Sequence, residues 1–326
     1  MGILIDKNTK VIVQGITGKH GSFHTQMMRA YGTNIVAGVT PGKGGQKISC
    51  IPVYNTVKEA LKKHEAQWSA IFVPAPHAKD AAIEALDAGL NIVIITENIP
   101  VFDTLEILSK AEEKKKKVIG PNCPGITSVG ESKIGIMPNH IFKKGDVGVL
   151  SRSGTLTYEI IYQLTKKGIG QSIAAGIGGD QITGMDFIDM LKLLEKDKNT
   201  KKIVLIGEIG GEAEIRAAEY IKKHIKKQVV AFIAGRSAPP GKKMGHAGAI
   251  ISGNKETAQA KIDSLRKAGV KVAMLPSEIP KLLKERKKKL KDKKTEKTSI
   301  CLAFFNIITS SGFLLRNSRR HRQCSS

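Results

Sequence analysis

Cysteine is scarce in this chain of 326 residues: Cys50, Cys123, Cys301 and Cys324 are the only four, and no two are spaced like a disulfide framework or a zinc site. A small stapled fold is therefore excluded, and a reducing cytoplasm is the expected compartment. Long apolar runs are missing too. No stretch approaches the roughly 18 uninterrupted apolar residues of a membrane span, and the opening MGILIDKNTK has neither the apolar core nor the cleavage site of a secretory signal. Gly2 is not followed by the Ser or Thr of a myristoylation signal, because position 6 is Asp6. The nucleotide-gripping sequence G-x-x-x-x-G-K-[ST] is also lacking.

Acidic residues are outnumbered, 29 against 53 basic ones, for a net charge of +24. Nucleic acid would be a natural partner for such a chain, but the distribution argues against it. Residues 281–326 carry 14 of the basic residues and 3 of the acidic ones; the rest of the excess, 39 against 26, is spread over 280 residues. Runs such as EEKKKK (112–117) read as solvated helix faces. Neither nucleic acid nor membrane is an expected partner. With 41% hydrophobic residues, the chain can bury a core, and its length suits about two domains.

What is present is a rhythm. Short apolar runs at 10–15, 34–39, 69–74, 91–96 and 117–121 read as buried strands, separated by helical patterns such as AKDAAIEALDAG (78–89). The segment PNCPG (121–125) interrupts this pattern, which then resumes with strands at 146–151, 172–177, 202–208 and 229–235. Such alternation predicts an α/β protein of right-handed βαβ units around parallel sheets. Two doubly wound domains follow, 1–122 and 123–285, with 286–326 as a basic, flexible tail that could be dispensed with or could lie on a membrane surface.

Two glycine loops carry the chemistry. QGITGKHG (14–21) follows the first strand, and Gly15, Gly18 and Gly21 allow a tight turn that points helix-terminal amides at a phosphate. The spacing differs from the dinucleotide fingerprint G-x-G-x-x-G, and no acid follows for a ribose diol; the second strand ends instead near Lys43 and Lys47. Those cations suit a further phosphate, as in coenzyme A or NADP. His20 and His24 stand four apart, a spacing zinc helices use, but no third ligand is evident. The second loop, LSRSGTLTYE (150–159), sets Ser153, Gly154 and Thr155 where an anion could be received, although Ser153 could equally be a plain N-cap. Glu208, in IGEIGG, ends a strand, where ligands of open sheets gather; it could also simply cap the next helix. His246 lies in GKKMGHAGAI among Gly245, Ala247 and Gly248. That is the surroundings of a reacting imidazole and also those of an ordinary surface turn. Together these pieces suggest that Ser153–Thr155 hold a phosphate, His246 attacks it, and Glu208 holds the ring.

From Ile3 to about Leu283 the chain closely resembles the α subunits of succinyl-CoA synthetase (succinate–CoA ligase, NDP-forming). The resemblance is carried, in order, by ILIDKNTKVIVQG, VTPGKGG, VPAP, GPNCPG, SRSGTLTYE, GIGGD, IGEIGG and GHAGAI. It implies a Rossmann-like CoA-binding domain and a flavodoxin-like ligase domain. It implies a coenzyme A site at Thr17, Gly18, Lys19, His20, Lys43, Ile95, Thr96 and Glu97, and an organic-acid position at Tyr158. It further implies a phosphohistidine at His246, an orienting acid at Glu208 and a phosphate-receiving helix start at Ser153, Gly154 and Thr155. No metal ligand is assigned to this chain; Mg²⁺ with ATP or GTP would belong to a β subunit, in an αβ or α2β2 assembly. The loop departs from that of bacterial relatives in being more basic around Lys19 and His20. Three rivals remain at this level: an NADP oxidoreductase, a basic nucleic-acid-binding protein, and a sister ligase acting on malate or acetate.

Overall fold

Strands β1 (Lys10–Gln14), β2 (Asn34–Val39), β3 (Lys47–Ile48), β4 (Ile51–Tyr54), β5 (Trp68–Ile71), β6 (Asn91–Ile94) and β7 (Val118–Ile119) form one sheet in a computed structural model that describes residues 3–239 and 241–285. Its spatial order is β3-β4-β2-β1-β5-β6-β7, and every pair is parallel except β3–β4. With the short β3 set aside, this is the strand order of dinucleotide-binding folds, whose crevice opens between the first strand and its partner across the reversal, here β1 and β5. Helices α1 (Lys19–Tyr31), α2 (Val57–Leu61), α3 (Ala75–Asp87) and α4 (Val101–Glu113) connect the strands. Val11, Ile12 and Val13 are consecutive and fully buried, as befits a strand covered on both faces.

The second sheet contains β8 (Gly125–Ser128), β9 (Ser132–Gly135), β10 (Lys144–Ser151), β11 (Gln171–Gly176), β12 (Lys202–Gly207), β13 (Gln228–Ile233) and β14 (Lys271–Ala273). Helices α5 (Gly154–Lys166), α6 (Phe187–Lys196), α7 (Ala213–His224), α8 (Ala258–Lys267) and α9 (Ile279–Lys284) accompany it. Its order is β14-β13-β12-β10-β11-β8-β9. The five parallel strands reproduce the flavodoxin-like order, with the reversal between β10 and β12. An antiparallel hairpin, β8–β9, extends the β11 edge. The two-sheet α/β class predicted from sequence is the one observed.

The sheets separate between β7 and β8, but the core does not. One cluster of buried side chains runs from Val11, Val13 and Trp68 to Ile126, Leu150 and Leu205. At the seam, Thr33 Oγ1 donates to the Lys133 carbonyl at 2.6 Å, and Asn139 Nδ2 donates to the Met27 carbonyl at 2.9 Å. The sequence reading contains no counterpart of β3, β4, β8, β9 or β14. All five have two to four residues, too few for an apolar period, and β8 and β9 read GITS and SKIG. Tertiary packing makes them strands: all eight residues of the β8–β9 hairpin are buried, Lys133 included. Helix α3 starts three residues before the predicted 78, since Pro76 in its first turn sacrifices no helical hydrogen bond. Segment 286–326, expected to be a flexible basic tail, lies outside the described residues. No helix among the described residues is long and apolar enough to cross a membrane.

Candidate active site

At the carboxyl end of β1 the chain turns back on itself through Gly15, at φ +79°. A Cβ at Gly21 would stand 2.1 Å from the Gly15 carbonyl oxygen, so the first turn of α1 can close on the loop only with glycine there. Gly18 occupies the N-cap of α1 in extended conformation with no side-chain cap, which leaves the first amides of the helix to an outside acceptor. Thr17 Oγ1 donates to Thr40 Oγ1 at 3.2 Å and ties this loop to the turn beyond β2 that carries Lys43. Lys19, His20 and Lys43 are exposed. His24 is directed elsewhere: its ring stacks on Phe72 at 5.8 Å, and burial, helped by Lys133 and His20, lowers its pKa to about 4. Among the described residues there is no group of three or more His, Cys, Asp or Glu side chains fit to hold a metal.

At the end of β10, Ser153 caps α5 by accepting from the Leu156 amide at 3.4 Å. Burial of Ile160, Ile161 and Leu164 anchors that helix, at about 1.5–3 kcal/mol for each large side chain. At the end of β12 stands Glu208, only 7% exposed. His246 enters from the long loop after β13, and its Nδ1 lies 2.9 Å from both carboxylate oxygens of Glu208. Hydrogen bonding to Glu208 raises the His246 pKa above 6.5 against the opposing effect of burial. The loop is seated by the Gly248 amide donating to the Gly179 carbonyl at 3.0 Å and by the Ala249 amide donating to the carbonyl of His246 at 3.1 Å. A Cβ on Gly179 would lie 2.5 Å from the imidazole Cγ, and one on Gly210 only 1.9 Å from the Gly248 oxygen. Glycine thus lets the backbone press directly on the histidine loop from two sides.

A cleft of about 490 Å³ joins the two strand-end regions. It brings together His20, Ile95, Thr96 and Glu97 from the first half with Gly154, Thr155, Tyr158 and His246 from the second. Burial pushes the Tyr158 hydroxyl up to about 12, so at neutral pH it stays protonated and able to donate. Six predicted residues lie outside the cleft lining: Thr17, Gly18 and Lys19 in the first glycine loop, Lys43 in its exposed turn, and Ser153 and Glu208, which are buried. Sequence reasoning missed Asn122 and Asp180, whose side chains pair at 2.9 Å, and also Arg152, Glu214 and Lys261, buried behind Glu208. Asn122 and Asp180 fall within motifs already singled out, GPNCPG and GIGGD. Glu214 and Lys261 sit among the ordinary charged residues of α7 and α8 and carry no such signal.

Comparison with known proteins gives two family matches: CoA binding domain over residues 6–98 and CoA-ligase over residues 150–271. The ADP-forming succinate–CoA ligase subunit alpha of Staphylococcus aureus (strain Mu50) is 58% identical over 286 residues, covering 87% of this chain and 95% of that protein. The protein of the same name from Staphylococcus epidermidis (strain RP62A) is 57% identical over 290 residues, with 89% and 96% covered. Among solved structures, ATP citrate lyase from Methanothrix soehngenii, in complex with citrate and coenzyme A, superposes with a TM-score of 0.79 at 26% identity. That match covers 99% of this chain, which spans 54% of the lyase chain. A dinucleotide-forming acetyl-coenzyme A synthetase from Ca. Korarchaeum cryptofilum has the same fold, with a TM-score of 0.69 at 20% identity, covering 82% of this chain and 58% of its own.

Proposed function

Since the chain belongs to the family of succinate–CoA ligase α subunits, an acid–thiol ligase that binds coenzyme A and works with a β partner, we propose that its reaction runs through a phosphoryl group carried on His246. The observation that carries this reading is the placement of both oxygens of a buried carboxylate at 2.9 Å from Nδ1. A proton held on Nδ1 leaves the lone pair on Nε2, the nitrogen free to attack. Phosphate first displaces coenzyme A from succinyl-CoA, giving succinyl phosphate and the free thiol. Nε2 then bonds to phosphorus while the bond to the succinyl oxygen breaks, and succinate leaves. Finally the P–N bond breaks as the phosphoryl group passes to a nucleoside diphosphate. Glu208 compensates the positive charge that builds on the imidazole.

Coenzyme A fits the first strand-end loop, where uncapped amides and the exposed Lys19, His20 and Lys43 can receive its phosphates, while Ile95, Thr96 and Glu97 border the route to His246. Tyr158 faces the carboxylic acid, and the amides of Gly154 and Thr155 at the start of α5, with Ser153 shaping the turn, receive the phosphoryl group. We assign residues 1–122 to coenzyme A binding and 123–285 to phosphoryl transfer. The nucleotide and Mg²⁺ belong to the β partner in an αβ or α2β2 assembly, and ADP, which the relatives' names specify, is the acceptor assigned here. The compartment is the cytoplasm. Incubation of the full chain and its β partner with labelled ATP and Mg²⁺ tests the reading. The chain should take up an acid-labile, base-stable label, and a label retained in His246→Asn would refute it.

A further inference from the structure

Behind His246 lies a closed set of four charged side chains: Arg152 and Glu208 are each 7% exposed, Glu214 and Lys261 fully buried. Two cations thus face two carboxylates in a region with almost no water, but the contacts are shared unevenly. Lys261 Nζ donates to the carbonyl oxygens of Glu208 and Gly210, each at 2.7 Å, and pairs with the Glu214 carboxylate. A guanidinium nitrogen of Arg152 donates to the Gly210 carbonyl at 2.9 Å and to Glu214 Oε1 at 3.3 Å. Toward the Glu208 carboxylate, Arg152 comes no closer than 3.8 Å. Glu214 also accepts from the Glu208 amide at 3.2 Å, which fixes the backbone that carries the orienting acid. Both cations therefore settle on Glu214 and on backbone carbonyls, and Glu208 keeps both oxygens for the imidazole.

We propose that Glu214 is a positioning residue for phosphoryl transfer: by taking the charge of Arg152 and Lys261, it keeps the Glu208 carboxylate available to His246. This rests on the roles of His246 and Glu208 proposed above. A buried cation left without its partner is strongly unfavourable. With Glu214 neutral, Arg152 turns to the nearest remaining carboxylate, which is Glu208, and the hold on His246 weakens. With Lys261 removed instead, Arg152 has Glu214 to itself, and Glu208 commits more fully to the imidazole. The two changes act in opposite directions on one ring. Other groups act on that ring too. Asp180 faces it from the loop after β11, while Tyr158, His20 and Glu97 line the same cleft, and Lys243 of the histidine loop acts on Asp180. All of them are kept constant in the comparison.

The test measures initial rates of His246 phosphorylation in the full chain with its β partner, using labelled ATP and Mg²⁺, across the range in which imidazoles titrate. Glu214→Gln should slow labelling about fivefold or more and move the midpoint of the pH profile down. Lys261→Met should move the midpoint up, and the double variant, again balanced in charge, should return it to that of the original chain. A purely structural role would slow labelling without opposed shifts. Glu214→Gln with an unmoved midpoint, both single variants shifting the same way, or a double variant no better than Glu214→Gln would each overturn the proposal. Should Glu214→Gln fail to fold, Lys261→Met and the double variant decide by the same signs. Label that persists in His246→Asn refutes the phosphohistidine reading instead, whereas label on His246 with unmoved variants refutes only the role of Glu214.

Discussion

Around the ends of β1 and β2 the cations stand in solvent; around Glu208, at the end of β12, they are buried and matched. Lys19 and Lys43 are exposed and make no ion pair among the described residues. Arg152 and Lys261 are buried, and each has a carboxylate within reach before any ligand arrives. Both regions begin as a glycine turn between a parallel strand and a helix, so topology alone does not separate them. The difference lies in who supplies the negative charge. A site for a nucleotide-like ligand with phosphates of its own can leave its cations open, because water keeps them solvated until the ligand comes. A site that must place charge on an imidazole during reaction is arranged beforehand, since in a low-dielectric interior an unmatched charge is too costly to reorganise at that moment.

That contrast can be broken most sharply at His246. Replacement by asparagine should abolish phosphoryl labelling and ligase turnover while coenzyme A affinity, measured by calorimetry, stays as it was; a parallel loss of affinity would mean that the two regions are not separable. Gly179→Ala comes next. Its Cβ would stand 2.5 Å from the imidazole Cγ, so the ring must move aside by about 1 Å, which costs up to about 10²-fold in rate, again with coenzyme A binding intact. Glu208→Gln should slow labelling by about 10- to 100-fold, by analogy with the loss of a carboxylate that orients a metal-binding histidine, with thermal stability little changed.

On the other side of the comparison, Lys43→Ala should weaken coenzyme A by about tenfold, the lower end of the range for a hydrogen bond to a charged group because the site is exposed. Dephospho-coenzyme A should lose less, and equal losses would show that Lys43 does not meet the 3′-phosphate. The smallest effect concerns stability. The His246 pKa is raised in the folded state, so the stabilisation it contributes is complete below the ordinary 6.5 and disappears as pH rises through the raised value. Denaturant titrations of His246→Asn should lose this part of the pH dependence, worth less than about 1 kcal/mol at a partly exposed site. The same raised pKa places the acidic limb of phosphorylation above 6.5, because only the neutral ring attacks.

Much of this organisation was legible in the chain. The runs KVIVQ and KIVLIG announce strands because burial on both faces demands uninterrupted apolar residues, and the loops that follow them announce sites because glycine permits what other residues forbid. GHAGAI marked a histidine free of crowding. The hairpin β8–β9 was not legible, since four residues set no period and what buries it lies elsewhere in the chain: β11 pairs with β8, and Met28 of α1 reaches Gly135. Lys261 was not legible either. In AQAKIDSLRK it resembles any lysine on a solvated helix face, and only the seating of α8 against the turn at Gly210 turns it inward.

The sequence by itself determined the two βαβ arrays, the glycine turns at their strand ends, and the uncrowded place of His246 in its glycine loop, because these depend on local backbone freedom and on the periodicity of apolar residues. Only the tertiary structure decided which charges are paired and which are open. Arg152, Glu208, Glu214 and Lys261 come from four separate elements, and whether a carboxylate is free to hold an imidazole depends on distances and burial that no spacing along the chain encodes.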